Sequence, residues 1–259
     1  MKHKIITFGE LMLRLSPDNN ERFTQAHSYE AVYGGGEANT AVSLANFNVD
    51  TRYVTKLPNH TIGQSAVNSL RQYGVDVSRI VRGGDQIGIY FLEKKTSQRP
   101  TNVIYNRNGS AFALATKEDF DWNSIFEGAT WFHFSGITPA ISDNMAEITI
   151  EACKEAKKRN ITVSCDLNYR SKLWSSEKAN KVMSEVCKYV DICIANEDDA
   201  VGIFGMDASK SDKEKNAYIA EELTKMFPNF KMVASVWRTE TSITTFKLQS
   251  MIYTDGKAY

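Results

Sequence analysis

Apolar positions along this chain follow two alternating rhythms. Short runs rich in Ile, Val, Phe, Tyr and Thr recur at Ile5-Ile6-Thr7-Phe8, Thr51 to Leu57, Asp85 to Lys94 and Thr101 to Asn106. They recur again at Thr130 to Ser135, Ile161 to Asp166, Val190 to Ala195 and Lys231 to Val236. Runs of this length and composition, bounded by turn residues, read as strands. Between them, apolar residues return every three or four positions and predict helices. Ala38, Ala41, Val42 and Ala45 line one face of a helix from Gly36 to Phe47, and Val67 and Leu70 point inward from Gly63 to Tyr73. Ser142 can cap a helix carrying Met145, Ile148, Ala152 and Ala156. Ser175 or Ser176 can cap one carrying Ala179, Val182, Met183 and Val186, and a third carries Ile219, Leu223 and Met226.

From Thr130 onward, strand and helix alternate strictly, which predicts an α/β protein whose parallel sheet is covered on both faces. Ligands of such sheets bind beyond the carboxyl ends of the strands, so the residues just past each strand are the ones to inspect. The stretch from Asp85 to Asn106 departs from the pattern, because its two strands have no helix between them. Gly34-Gly35-Gly36 sits between an extended run and the first helix. There it lets a ligand approach the backbone and leaves free N–H groups at the helix start, with Asn39 projecting from the first turn.

Composition narrows the field. The 259 residues carry 31 Lys+Arg against 31 Asp+Glu, so no net basic field favours nucleic acid. No apolar run approaches membrane-spanning length, and the apolar part of the N-terminus is too short for a signal peptide. Cys153, Cys165, Cys187 and Cys193 form no C-x-x-C pair, which points to buried reduced thiols in a cytoplasmic protein rather than a zinc site.

Four groups lie past strand ends. Asp166-Leu167-Asn168-Tyr169-Arg170 is strongly polar, suited to a ligand or to an internal ion pair in a solvated loop. Asn196-Glu197-Asp198-Asp199 offers oxygen ligands for Mg²⁺ or, equally, an acidic helix start that complements the dipole. Tyr105-Asn106-Arg107, with Tyr90 on the preceding strand, offers aromatic walls, phenols and a forked cation for a carboxylate or phosphate. It also reads as a charged edge strand. Ser235 to Glu240 ends the last predicted strand and says little alone.

Taken together, Gly9-Glu10, the Gly34-Gly35-Gly36 helix start with Asn39, Asp166-x-Asn168-x-Arg170 and Asn196-Glu197-x-Asp199 resemble the ribokinase-like (PfkB) carbohydrate kinases from Lys4 to about Lys257. Gly9 through Pro17, with Asp166 to Arg170 and Tyr105-Asn106-Arg107, looks most like the 2-keto-3-deoxygluconate kinase branch. The resemblance implies one three-layer α/β/α domain over residues 1–259, with a mainly parallel central sheet and a small β lid built from strands within about 14–34 and 85–107. It implies ATP-dependent phosphorylation of a sugar acid with Mg²⁺, and a homodimer or higher oligomer formed through the lid. Substrate contacts would fall on Gly34, Gly35, Asn39, Tyr90, Tyr105, Asn106, Arg107 and Arg170. Asn168, Arg170, Asn196, Ser235 and Arg238 would face the nucleotide, Arg170 would act in catalysis, and Asp199 would reach the metal through water.

Three departures qualify the resemblance. Asp199 stands where the family carries Glu, and Val236-Trp237-Arg238 replaces a smaller, glycine-bearing sequence. The family's second signature, Asp-Thr-x-Gly-Ala-Gly-Asp, whose last Asp is the general base, does not occur in these residues. The resemblance therefore implies a chain lacking the last quarter of the pattern and inactive as it stands. A fructokinase-like or nucleoside kinase is the rival within enzymes, and a non-catalytic sugar-acid binding protein the rival outside them.

Overall fold

A computed structural model describes residues 3–96, 98–207, 209, 215–242 and 245–259. The backbone divides into two compact units, Met1–Ala129 and Thr130–Tyr259.

The first unit runs β1 (Lys4–Phe8), β2 (Met12–Pro17), β3 (Tyr29–Gly34), α1 (Gly36–Asn46), β4 (Asp50–Val54), β5 (Lys56–Leu57), α2 (Thr61–Arg71), β6 (Val81–Arg82), β7 (Ile89–Glu93), β8 (Asn102–Asn106) and α3 (Trp122–Ile125). β1 and β4 pair in parallel. The single strand expected from Thr51 to Leu57 is two, because Lys56 and Leu57 leave β4 to pair with Val81 and Arg82. Ala38 and Ala41 of α1 and Val67 and Leu70 of α2 are buried in one cluster with Tyr53 and Leu57, as the helical spacing predicts.

A separate four-stranded sheet has the order β3-β2-β7-β8 and is built from the strands expected to make the lid. It begins at Met12, earlier than the sequence suggests, since Met12 to Pro17 pair residue by residue with Gly34 back to Tyr29. Strand alternation sends Arg14, Val32, Tyr90 and Tyr105 to one face, and Leu15, Ala31, Phe91 and Ile104 to the other.

The second unit runs β9 (Trp131–Ser135), α4 (Ile137–Ala140), α5 (Asp143–Lys158), β10 (Thr162–Asp166), α6 (Ser176–Cys187), β11 (Ile192–Ile194), α7 (Glu197–Phe204), α8 (Lys215–Met226), β12 (Met232–Glu240), β13 (Phe246–Thr254) and β14 (Lys257–Ala258). β9 to β12 are parallel neighbours, and β13 and β14 continue the sheet antiparallel. Ser142 caps α5 through Met145 N at 3.2 Å, and Ser175, not Ser176, caps α6 through Lys178 N at 3.3 Å. Met226, expected on the inner face of α8, is instead exposed.

One face of this sheet carries Phe132, Phe134, Val163, Cys165, Cys193 and Val233, all fully buried. The alternate positions behave differently. Ile192, Ile194, Met232 and Ala234 are half-buried, and Val236, Leu248 and Ile252 are exposed. β12 also overruns its expected end at Val236. Its pairing with β13 continues to Glu240 opposite Phe246.

Candidate functional site

In the first unit the site grows from the chain's crossings between core and lid. Gly34 closes β3, and a Cβ built on it would lie 3.8 Å from Asn39 Oδ1 and 3.9 Å from Tyr90 Oη. The glycine thus leaves open space between an amide and a phenol. Tyr90 stacks on Tyr105 with centroids 5.9 Å apart. The Asn39 side chain and both phenols make no hydrogen bond among the described residues, so three polar groups stand ready for hydroxyls. Gly35 serves the backbone instead, because a side chain there would overlap the Glu10 carbonyl oxygen. Asn106 falls on the opposite lid face from Tyr105, which removes its side chain from this group and corrects the expectation for it.

Arg107 is not the solvated strand-end residue that its sequence position allows. It is 6% exposed, and Nε donates to Glu10 Oε2 at 2.7 Å, with Nη2 on the same oxygen. Ser110 Oγ donates to Glu10 Oε1 at 2.5 Å. Burial pushes the Glu10 carboxyl up, and Arg107 and Ser110 oppose that shift. The guanidinium lies 5.9 Å from the Tyr105 ring centre. Its Nη1 makes no hydrogen bond among the described residues, so one edge remains for an anion. Sequence reasoning did not assign Glu10 or Ser110 a role. The signal was an acid directly after the glycine that ends the first strand. A cleft of about 290 Å³ borders Gly34 and Asn39, but Tyr33, Val42, Leu70 and Tyr73 line it and Tyr90, Tyr105 and Arg107 do not.

In the second unit the loop after β10 carries the expected Asp166-to-Arg170 patch. Asn168 adopts a left-handed backbone at φ 38°, which Asn tolerates better than most residues. Tyr169 N donates to Asp199 Oδ1 at 2.7 Å, tying this loop to the start of α7. Arg170 is exposed and makes no ion pair among the described residues, yet it lies near enough to Asp199 to act on its charge.

Asn196 and Asp199 form a capping box on α7. Asn196 Oδ1 accepts from Asp199 N at 2.9 Å, and Asp199 Oδ2 accepts from Asn196 N at 3.2 Å. Burial raises the Asp199 carboxyl against these backbone bonds. Both oxygens of Asp199 therefore already serve the fold. No group of three or more His, Cys, Asp or Glu side chains suited to a metal exists among the described residues. Asp199 is thus committed first to the helix cap, and any contact of it with Mg²⁺ would run through water.

Two further expectations need correction. Ser235 is buried in β12 on the same face as Val233, with no hydrogen-bond partner for its hydroxyl among the described residues, so it is not presented at the surface as the expectation for it requires. Arg238 lies within the β12–β13 hairpin, not past a strand end. It pairs with Glu240 at 2.6 Å and covers the Phe246 ring at 4.8 Å.

Comparison with known proteins agrees with this architecture. The family model for the pfkB family carbohydrate kinases matches residues 2–229. A 2-dehydro-3-deoxygalactonokinase from Haloferax volcanii is 37% identical over 209 residues, covering 80% of this chain and 65% of the relative. A 2-dehydro-3-deoxygluconokinase from Bacillus subtilis is 28% identical over 68% of this chain and 55% of its own length. The crystal structure of a 2-dehydro-3-deoxygluconokinase from Thermotoga maritima superposes with a TM-score of 0.95 at 46% identity, over 100% of this chain and 78% of that one. The chain thus spans just under two thirds of the Haloferax relative and little over half of the Bacillus one. Its fold is the ribokinase-like α/β fold, and the chain belongs to the pfkB family of carbohydrate kinases.

Proposed function

We propose that the protein to which this chain corresponds phosphorylates a hydroxyl of a sugar acid of the 2-keto-3-deoxygluconate type, with ATP as donor, in the cytoplasm. The observation that carries this reading is the buried Arg107 guanidinium, held with one edge free beside the hydroxyls of Tyr90 and Tyr105, which are without hydrogen-bond partners among the described residues. A carboxylate meets a guanidinium edge through two parallel hydrogen bonds, and a neutral sugar has no matching group. Asn39, Tyr90 and Tyr105 take hydroxyls, and Gly34 leaves room for the sugar. The names of the Haloferax and Thermotoga relatives support a deoxy keto acid.

Phosphoryl transfer asks a protein mainly for positioning and for positive charge where the transferring group gathers negative charge. The exposed Arg170 supplies such a charge. The Gly-Ala-Gly-Asp signature, with its general base, does not occur in these 259 residues. Turnover by this chain should therefore be negligible, since a lost general base alone costs roughly 10²–10⁴-fold. Binding is the direct test. Calorimetry should show that 2-keto-3-deoxygluconate binds this chain and a matching neutral sugar binds far more weakly. Equal affinities would refute the reading.

A second copy of the chain is proposed to cover the lid. Ile104 is 50% exposed and Tyr29 39%, and a small sheet with an apolar face gains stability from a partner. Sedimentation showing a monomer at micromolar concentration would count against it.

A further inference from the structure

Four segments of the first unit cross between its core and its lid, and all four meet at Glu10. The first crossing, from β1 to β2, contains Glu10 itself. The second, from β3 to α1, passes so close that a side chain on Gly35 would overlap the Glu10 carbonyl oxygen. The third enters β7 at Gly88, where an added Cβ would lie 2.5 Å from Glu10 Oε1. The fourth leaves β8 through Arg107 and Ser110, both bonded to the Glu10 carboxylate. Glycines at two crossings let the backbone come this near, and the other two supply the charge and its counter-charge.

We infer that Glu10 is a positioning residue for substrate recognition: it clamps one edge of Arg107, aims the other edge at the substrate carboxylate, and cancels the net charge of the site. The inference rests on the reading of Arg107 as the carboxylate's partner. The geometry separates the two edges. Nε and Nη2 are both on Glu10 Oε2, and Nη1 is left over. A guanidinium fixed by a buried partner loses less freedom on meeting a second acceptor.

Neutralisation has its own consequence. A lone buried guanidinium attracts any small anion, including phosphate, which abounds around an enzyme that uses ATP. A guanidinium already paired offers direction more than charge. It thus favours a flat carboxylate, delivered by a sugar that also engages Tyr90, Tyr105 and Asn39, over a bare tetrahedral ion. Glu10 is therefore a selectivity device as well as a brace.

The test is calorimetry on the full chain with three probes: 2-keto-3-deoxygluconate, a matching neutral sugar and inorganic phosphate. Glu10→Gln keeps the shape and removes the charge. It should lower sugar-acid affinity about tenfold and leave the neutral sugar within about twofold, because only the carboxylate bond is disturbed. It should also raise phosphate affinity several-fold. A merely structural role would weaken all three probes together, and that result overturns the inference. Arg107→Lys separates this inference from the reading beneath it. If the parent and Arg107→Lys both bind acid and neutral sugar alike, the Arg107 assignment fails. If Arg107→Lys loses the acid preference and Glu10→Gln keeps both ratios, the Glu10 inference alone fails. Should Glu10→Gln not fold, Ser110→Ala carries the test, because it frees Glu10 Oε1 and spares the ion pair. A threefold or greater fall in the acid-to-phosphate affinity ratio supports the inference, and an unchanged ratio overturns it.

Discussion

Replacing Asp199 by Asn should destabilise the ligand-free protein by about 2 kcal/mol, chiefly through one lost acceptor. Oδ1 accepts from Tyr169 N at 2.7 Å and Oδ2 from Asn196 N at 3.2 Å. An amide keeps a single oxygen. It retains the shorter bond to Tyr169 and turns an NH₂ toward the Asn196 N–H, which then faces a donor with no acceptor. Leaving a partly buried donor unsatisfied costs about 1–3 kcal/mol. The charge itself matters less, since burial already raises the Asp199 carboxyl and so disfavours its ionised form. At about 2–4 °C per kcal/mol for a chain of this size, the melting temperature should fall by roughly 4–8 °C. Differential scanning calorimetry without nucleotide or metal reads this directly. A variant that melts with its parent yet loses nucleotide affinity would refute the reasoning, because Asp199 would then act on the ligand and not on the fold.

Other substitutions test other parts of the structure. Gly35→Ala should cost about 1–3 kcal/mol by driving a methyl into the Glu10 carbonyl, and Gly36→Ala, with nothing within 4 Å, should be neutral or stabilising in the same urea titration. His133 is held by burial at a pKa of about 4, down from 6.5. Its contribution to stability is therefore complete above the unfolded value and is lost as pH falls through the folded one. Unfolding free energy should drop by about 2 kcal/mol between about pH 7.5 and pH 5, and His133→Gln should flatten that slope. Arg238→Ala should change stability by less than about 1 kcal/mol, since its ion pair is exposed, and should leave ATP affinity unchanged by fluorescence titration. A large loss of ATP affinity would restore Arg238 to the nucleotide site.

The sequence carried most of the second unit because period and burial agree there. Met145, Ile148, Ala152 and Ala156 repeat at helical spacing and are all fully buried or nearly so. The β10 strand ends where Asp166 begins the polar loop. Lid boundaries were harder. Met12 to Pro17 mix Arg14 and Ser16 with Leu13 and Leu15, and only pairing with β3 and β7 makes them a strand. Similarly, nothing local marks β12 as running to Glu240, because its last four residues are held by cross-strand partners in β13. Site residues divided by the same logic. Gly34, Asn39, Tyr90 and Tyr105 gather because their backbones do, and a motif records backbone. The fate of Arg107 depended on a carboxylate 97 residues away in sequence. Asn196 and Asp199 satisfy a helix start, a use that the pattern Asn-x-x-Asp announces as plainly as ligand binding.

The cysteines add a practical consequence. Cys153, Cys165, Cys187 and Cys193 are free, have no exposure, and sit on α5, β10, α6 and β11, all in the second unit. Burial pushes each thiol up, so none reacts from the closed state. An alkylating reagent can modify them only while a helix lifts from the sheet or the unit opens altogether. The chain therefore contains a chemical clock that times openings of its C-terminal half. Labelling rates with and without nucleotide would report how tightly a ligand holds that half shut, with no probe having to be engineered into the protein.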